Sequence, residues 1–188
     1  MLTQLPQPAG RNLLYRMPRA SRIVLPGTPH HVTQRGNRRQ PVFFDDGDYW
    51  RYRRLLAEEC QTAQVQVWAY CLMPNHVHLL LVPTTIDGMT RALSGTHRRY
   101  TSQINERQGW TGHLWQGRYG STPLGDDGAL LSVVRYIERN PVEAGLVERP
   151  EDWIWSSARG HLGGCADALL TDAPLRAMVP DWSGFLGT

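Results

Sequence analysis

Hydrophobic and polar positions divide most of the chain into short alternating stretches and longer helical ones. Residues 1–25 are rich in Pro, Gly and Arg without periodicity and read as a flexible basic arm. His30-His31-Val32-Thr33-Gln34-Arg35 alternates like a strand and stops at Gly36, and Asn37-Arg38-Arg39-Gln40 follows as a basic loop. Asp45 or Asp46 caps a predicted helix through about Gln64, with Tyr52, Leu55, Leu56 and Cys60 at helical spacing. Val65 to Leu72 predicts a strand with Val65, Val67 and Ala69 on one face and Trp68 and Tyr70 on the other. Met73-Pro74-Asn75 turns it into a second strand, the apolar run Val77 to Val82, so the two form a hairpin.

A second helix is predicted from about Ile86 to Arg107, with Met89, Leu93 and Ile104 as its buried stripe. A Gly-, Trp- and Arg-rich loop leads to a short strand near Tyr119 to Leu124. A third helix starts at Asp126 or Asp127 and closes at Asn140-Pro141, because a residue before proline disfavours helix. Strand, helix, strand, strand, helix, strand, helix is the order of an α+β, ferredoxin-like split βαβ fold: an antiparallel sheet with helices on one face. The body spans residues 26–147. The tail, 148–188, carries Trp153, Trp155 and Trp182, and that many large rings predict packing on the body.

Composition changes this picture in one respect. All twenty basic residues are arginine, and residues 1–118 hold fifteen of them against seven acids, whereas 119–188 hold five against ten. No acid precedes Asp45, while seven arginines do. Codon bias explains the missing lysine but not the asymmetry, which points to a phosphate-bearing partner for the N-terminal half. Three widely spaced cysteines fit neither a disulfide framework nor a zinc knuckle. No membrane span and no signal-peptide layout is visible, so a cytoplasmic, nucleoid-associated protein with no membrane partner is expected.

The candidate chemistry begins with His76 and His78. Two apart on a strand, they share one face, and two imidazoles on an otherwise apolar strand suit a divalent metal. The bland alternative is a hydrogen-bonded pair at a strand edge. In the third helix, Tyr136 and Asn140 stand at i and i+4, offering a phenol oxygen and an amide carbonyl on one face. Two His nitrogens and one amide oxygen form a ligand set for Mg²⁺ or Mn²⁺ with positions left for a phosphate oxygen. Tyr100 and Tyr119 are rival phenols without an amide at i+4, where Ile104 follows Tyr100. His30 and His31 read as structural, His97 as solvated or phosphate-facing, and Glu138 as solvent-facing. Trp115 suits either an unpaired base or the core. Arg135 and Arg139 suit either phosphate or a salt bridge with Glu138 or Glu143.

Together, Asn75-His76-Val77-His78-Leu79-Leu80-Leu81 and Tyr136-Ile137-Glu138-Arg139-Asn140-Pro141-Val142 resemble the two signature segments of the REP-associated tyrosine transposases, a branch of the HUH single-tyrosine superfamily. His31 to Phe43, Leu114 to Tyr119 and Trp153 to Ser157 are similar to further segments of that family, in matching order across about residues 20 to 160. The resemblance implies an enzyme that cleaves and rejoins single-stranded DNA near hairpin-forming palindromes. Tyr136 would be the nucleophile, leaving a 5′-phosphotyrosine. His76, His78 and Asn140 would be the ligands of Mg²⁺ or Mn²⁺, and no nucleotide triphosphate would be consumed. Asn140 departs from the Gln of many insertion-sequence members. Arg35, Asn37, Arg38, Arg39, Arg98, Arg99, Trp115, Arg118, Arg135 and Arg139 are the expected DNA contacts, and a monomer is favoured over a dimer. A histidine-triad phosphohydrolase would need a third alternating histidine where Leu80 stands. A domesticated hairpin-binding protein without turnover is the other alternative.

Overall fold

The predicted hairpin forms the middle of the molecule. In the computed structural model, which describes residues 23–171 and 173–187, β2 (Val65–Met73) and β3 (His76–Pro83) pair antiparallel from Val65↔Pro83 to Met73↔His76. β1 (His30–Arg35) pairs with the other side of β3, and β4 (Gly120–Pro123) with β1, giving an antiparallel sheet of order β2-β3-β1-β4. That is the strand order of the split βαβ arrangement. The basic arm falls, for residues 1–22, outside the described residues.

α1 (Asp46–Ala63) and α2 (Gly88–Gln108) cover one face, burying Tyr52, Leu55, Leu56, Met89, Leu93 and Ile104 against Val32, Val77, Leu79 and Leu81. Asp45 caps α1 by accepting a hydrogen bond from the Asp48 N–H. Each fully buried leucine here contributes about 1.5–3 kcal/mol of apolar transfer. The expectation of helices on one face holds for this pair. α3 (Asp127–Glu143) instead packs Leu130, Val134 and Ile137 on the opposite face, against Ala69, Cys71 and Leu80. A strand whose alternate residues are all apolar has two faces to bury, and β3 is such a strand beyond its histidines.

Two local expectations are corrected. β2 carries a bulge between Val67 and Ala69, so Val65 and Val67 share the α1/α2 face with Tyr70 and Leu72, while Ala69 turns to α3. One extra residue resets the alternation that the sequence pattern assumes. α3 also does not stop at Asn140: it runs through Pro141 to Glu143. The missing proline N–H costs one helical bond near the helix end, and Gly145, at φ +67°, completes the termination with its N–H on Val142 O.

The tail packs on the body. Residues 155–157 run beside β2, an edge strand, with Leu72 N–H on Trp155 O and Ser157 N–H on Tyr70 O, both at 2.9 Å, which closes part of an open edge. Trp155 stacks on Tyr49 at 4.6 Å, and Trp182 stacks on His161 at 4.2 Å. Among the described residues no helix is long and apolar enough to cross a membrane.

Candidate active site

His76 and His78 leave β3 on the face that α3 covers, with ring centroids 4.9 Å apart. α3 sets Tyr136 edge-on to His78 at 5.2 Å, and Tyr136 stays 43% exposed. The rival phenols are withdrawn. Tyr100 is fully buried and donates to Val42 O at 2.6 Å, and Tyr119 is buried with its hydroxyl 3.1 Å from Thr90 Oγ1. Asn140 lies one turn beyond Tyr136 on α3 and is buried.

The histidines are held neutral. Burial and then the Arg35 charge push His76 down to about 4; burial, His76, His31 and Arg35 push His78 down to about 3. A neutral imidazole is the form that ligates a metal. Asn75 Oδ1 lies 2.6 Å from His76 Nδ1, so the carboxamide accepts that N–H and leaves Nε2 with its lone pair free. His78 Nε2 is buried and has no partner among the described residues, an orphan that a cation would satisfy. No group of three or more His, Cys, Asp and Glu suited to a metal occurs among the described residues, and Asn140, on the same helix as Tyr136, adds an amide oxygen to the donors on this side of the sheet. These donors fit a divalent cation that accepts mixed nitrogen and oxygen ligands.

Sequence reasoning missed His31. Its Nε2 lies 3.1 Å from His78 Nδ1, the rings stack at 5.3 Å, and its ring is 6.0 Å from that of Tyr136. Antiparallel register supplies the signal: Thr33 faces His78 across the strands, so His31, two residues earlier, is a same-face diagonal neighbour. For His78 Nε2 to ligate, His78 Nδ1–H must donate to His31 Nε2, which makes His31 the group that selects the tautomer.

Glu138, expected at the surface, is fully buried. Its Oε1 accepts from Ser157 Oγ and His161 Nδ1, each at 2.5 Å, tying α3 to the tail. Neither Glu138 nor Glu143 pairs with the arginines of this helix. Arg139 donates instead to Leu186 O in the tail. His97 is also corrected, from a solvated residue to one packed beside Trp115 with Nε2 3.0 Å from the Tyr52 hydroxyl. Trp115 is 7% exposed and belongs to the core rather than to an open base platform. Arg99 is engaged with Glu58 and Glu59 at 2.8 and 2.9 Å.

The loop after β1 is stapled beside the histidines. Gly36 N–H donates to Asn75 O, and Asn75 Nδ2 donates to Arg39 O. A Cβ at Gly36 would meet Gln40 O at 2.3 Å, so the close approach requires glycine. Arg38 and Arg39 both adopt positive φ, 53° and 61°, an uncommon backbone for two successive non-glycine residues. Asn37, Arg38 and Arg39 are exposed, next to Arg35 and the histidine face. Arg35, Arg98 and Arg135 have no hydrogen-bond or ion-pair partner among the described residues, and Arg118 stands before β4.

This arrangement, a two-histidine strand facing a tyrosine helix, is that of a DNA transposase. The chain belongs to the IS200-like transposase family, whose model matches residues 27–140. It is 28% identical over 116 residues to a Haemophilus influenzae protein provisionally named a REP-associated tyrosine transposase. That match takes in 56% of this chain and 66%, just under two thirds, of the relative's length. Its fold is similar to that of a REP-associated tyrosine transposase solved bound to a REP hairpin, at TM-score 0.63 and 21% identity, over 82% of this chain and 92% of that one. The family match and the sequence motifs thus agree on an IS200-like transposase.

Proposed function

We propose that this chain cuts and rejoins single-stranded DNA at hairpin-forming palindromes, with Tyr136 as nucleophile. The observation that carries the reading is Tyr136 itself: exposed, edge-on to a buried neutral His78, while Tyr100 and Tyr119 are buried and hydrogen-bonded. Family membership and the hairpin-bound structural neighbour support the substrate class.

The Tyr136 oxygen attacks a backbone phosphorus, forming the new phosphorus–oxygen bond as the phenol proton departs. The bond to the 3′ oxygen breaks, and that oxygen leaves as a hydroxyl after taking a proton. One phosphodiester replaces another, so the 3′-hydroxyl of an incoming strand can reverse the step without a nucleotide triphosphate. A divalent cation, Mg²⁺ or Mn²⁺, held by His76, His78 and Asn140, would supply Lewis-acid polarisation of the phosphate. Arg35, Asn37, Arg38 and Arg39 hold the strand beside that face, and Arg98, Arg118 and Arg135 extend the phosphate path. The protein acts as a monomer in the cytoplasm, at the nucleoid.

A denaturing gel tests the reading. Protein incubated with a single-stranded hairpin and Mn²⁺ is expected to give a covalent protein–DNA band, and Tyr136→Phe to lose it while still binding the hairpin. Hairpin binding without any band from the wild-type chain would identify a binding protein that has lost turnover, and overturn the enzyme reading.

A further inference from the structure

The Asn37–Arg39 turn and the Pro74-Asn75 turn are bound into one unit beside His76. Gly36 N–H donates to Asn75 O at 2.8 Å, Val42 N–H to Pro74 O at 2.9 Å, and Asn75 Nδ2 to Arg39 O at 3.1 Å. The first turn also closes on itself, with Arg39 N–H on Gly36 O and Gln40 N–H on Asn37 O. Successive positive φ angles, as at Arg38 and Arg39, persist only where the surroundings over-determine the backbone in this way.

The Asn75 carboxamide makes two bonds, and one fixes the sense of the other. A carbonyl oxygen only accepts, so Arg39 O must face the amide nitrogen of Asn75. That leaves Oδ1 toward His76 Nδ1, 2.6 Å away, where it again can only accept, so Nδ1 carries the imidazole proton. Flipped end for end, the same carboxamide would set its NH₂ group against Nδ1 and drive the proton to Nε2, where it would block a ligand bond.

We infer that the arginine turn sets the tautomer of His76 through Asn75, a positioning residue, and so holds Nε2 open for a metal before any metal binds. The inference deepens the reading proposed above, in which His76 is a ligand and the turn holds DNA, and it rests on that reading. Asn37, Arg38 and Arg39 are exposed on this unit, so the DNA seat and the ligand stand on one piece of backbone. Deforming the turn therefore reaches the metal site although no residue of the turn ligates.

The test reads ring-nitrogen NMR shifts in the full chain, labelled at histidine nitrogen and freed of metal by chelator, at neutral pH, where His76 is uncharged. The His76 signals are those lost in His76→Asn. Wild type is expected to carry the proton on Nδ1. Asn75→Ala is expected to move most of it to Nε2 and to weaken Mn²⁺ binding in calorimetric titration about 10- to 100-fold. Asn75→Asp presents an acceptor whichever oxygen faces the ring, so it should restore the tautomer and Mn²⁺ binding without help from the turn. Gly36→Ala deforms the turn, since a Cβ there would meet Gln40 O at 2.3 Å. Alone it should shift the His76 proton and weaken Mn²⁺ binding; combined with Asn75→Asp it should change neither. Circular dichroism and melting verify each fold, and if Gly36→Ala does not fold, the contrast between Asn75→Ala and Asn75→Asp decides. A wild-type proton on Nε2, a tautomer unmoved in Asn75→Ala, or an equal effect of Gly36→Ala in both backgrounds overturns the relay. The expected tautomers in a wild-type chain with no affinity for Mn²⁺ would sink the metal reading and leave the relay standing.

Discussion

β1 and β3 serve two faces with opposite demands, and adjacent residues divide between them. Toward α3, His31, Arg35, His76 and His78 gather under an exposed tyrosine, with a nitrogen left unsatisfied and a positive charge beside it. Toward α1 and α2, Val32, Val77, Leu79 and Leu81 join Tyr52, Tyr100 and Trp115 in an aromatic core. The first face carries the uncompensated polarity that the proposed chemistry would use, and the second supplies the packing that holds it in place. Sites of this kind are stable only where a neighbouring core over-determines the backbone.

The sharpest break between the faces comes from two truncations. His78→Ala is expected to reduce covalent DNA linkage at least about 100-fold, since it removes a proposed metal ligand. It should cost less stability than a core truncation, because Nε2 is already an unsatisfied buried group and only the Nδ1 contact to His31 and the ring packing are lost. Tyr52→Ala should do the reverse in kind, costing about 3–5 kcal/mol of stability through its cavity. Calorimetry and a gel on both variants check this. A strongly destabilised His78→Ala would place the histidine in the core's structure, and the contrast would fail.

His31 gives the next largest effect. If it accepts the His78 Nδ1–H and thereby frees Nε2, His31→Phe should weaken Mn²⁺ binding about 10- to 100-fold, the usual scale for a group that orients a ligand. His31→Gln keeps an acceptor and should restore much of that loss. Calorimetric titration with Mn²⁺ decides; equal affinities in wild type and His31→Phe would remove His31 from the site.

What the sequence made legible follows from the same division. Periodicity exposes single elements, so the hairpin, the caps at Asp45 and Asp126 and the buried stripes of α1 and α2 were readable. The family motifs brought together His76, His78 and Tyr136. Unreadable were features fixed by pairing between distant segments. His31 joins the site only through β1–β3 register, and Glu138 is buried only because the tail delivers Ser157 and His161 to it. The bulge in β2 reverses faces without any glycine or proline to announce it. Pro141 misled in the other direction, since a proline near a helix end forfeits too little to stop it.

The basic loop tests how far the catalytic face extends. Neutralising Arg35, Arg38 and Arg39 together should weaken hairpin binding and flatten its salt dependence. The slope should fall by roughly 0.7–0.9 log units per log salt for each phosphate that the protein no longer neutralises. Arg35 also lowers the histidine pKa values, so its removal bears on the site as well as on DNA. Binding across a salt series measures the slope. An unchanged slope would confine the DNA path to other surfaces.

The smallest effect concerns the aromatic face, through acid. Burial pushes His97 down to about 3, whereas a histidine in the unfolded chain titrates near ~6.5. The folded value lies below the unfolded one, so below that pH the proton binds the unfolded chain in preference. The stability associated with neutral His97 is complete above about pH 6.5 and is lost progressively as pH falls toward 3. At about pH 5.5 this one group should remove about 1.4 kcal/mol relative to neutral pH. Buried His30 acts in the same direction, so the wild-type slope is the sum of several groups and only its change identifies His97. His97→Gln keeps a polar partner for the Tyr52 hydroxyl but does not titrate. Urea unfolding of both proteins at neutral pH and near pH 5.5 is therefore expected to show a smaller acid loss in the variant, by about that amount. Equal losses would mean that His97 gains its proton without unfolding the core, and the aromatic face would then be polar enough to tolerate a charge.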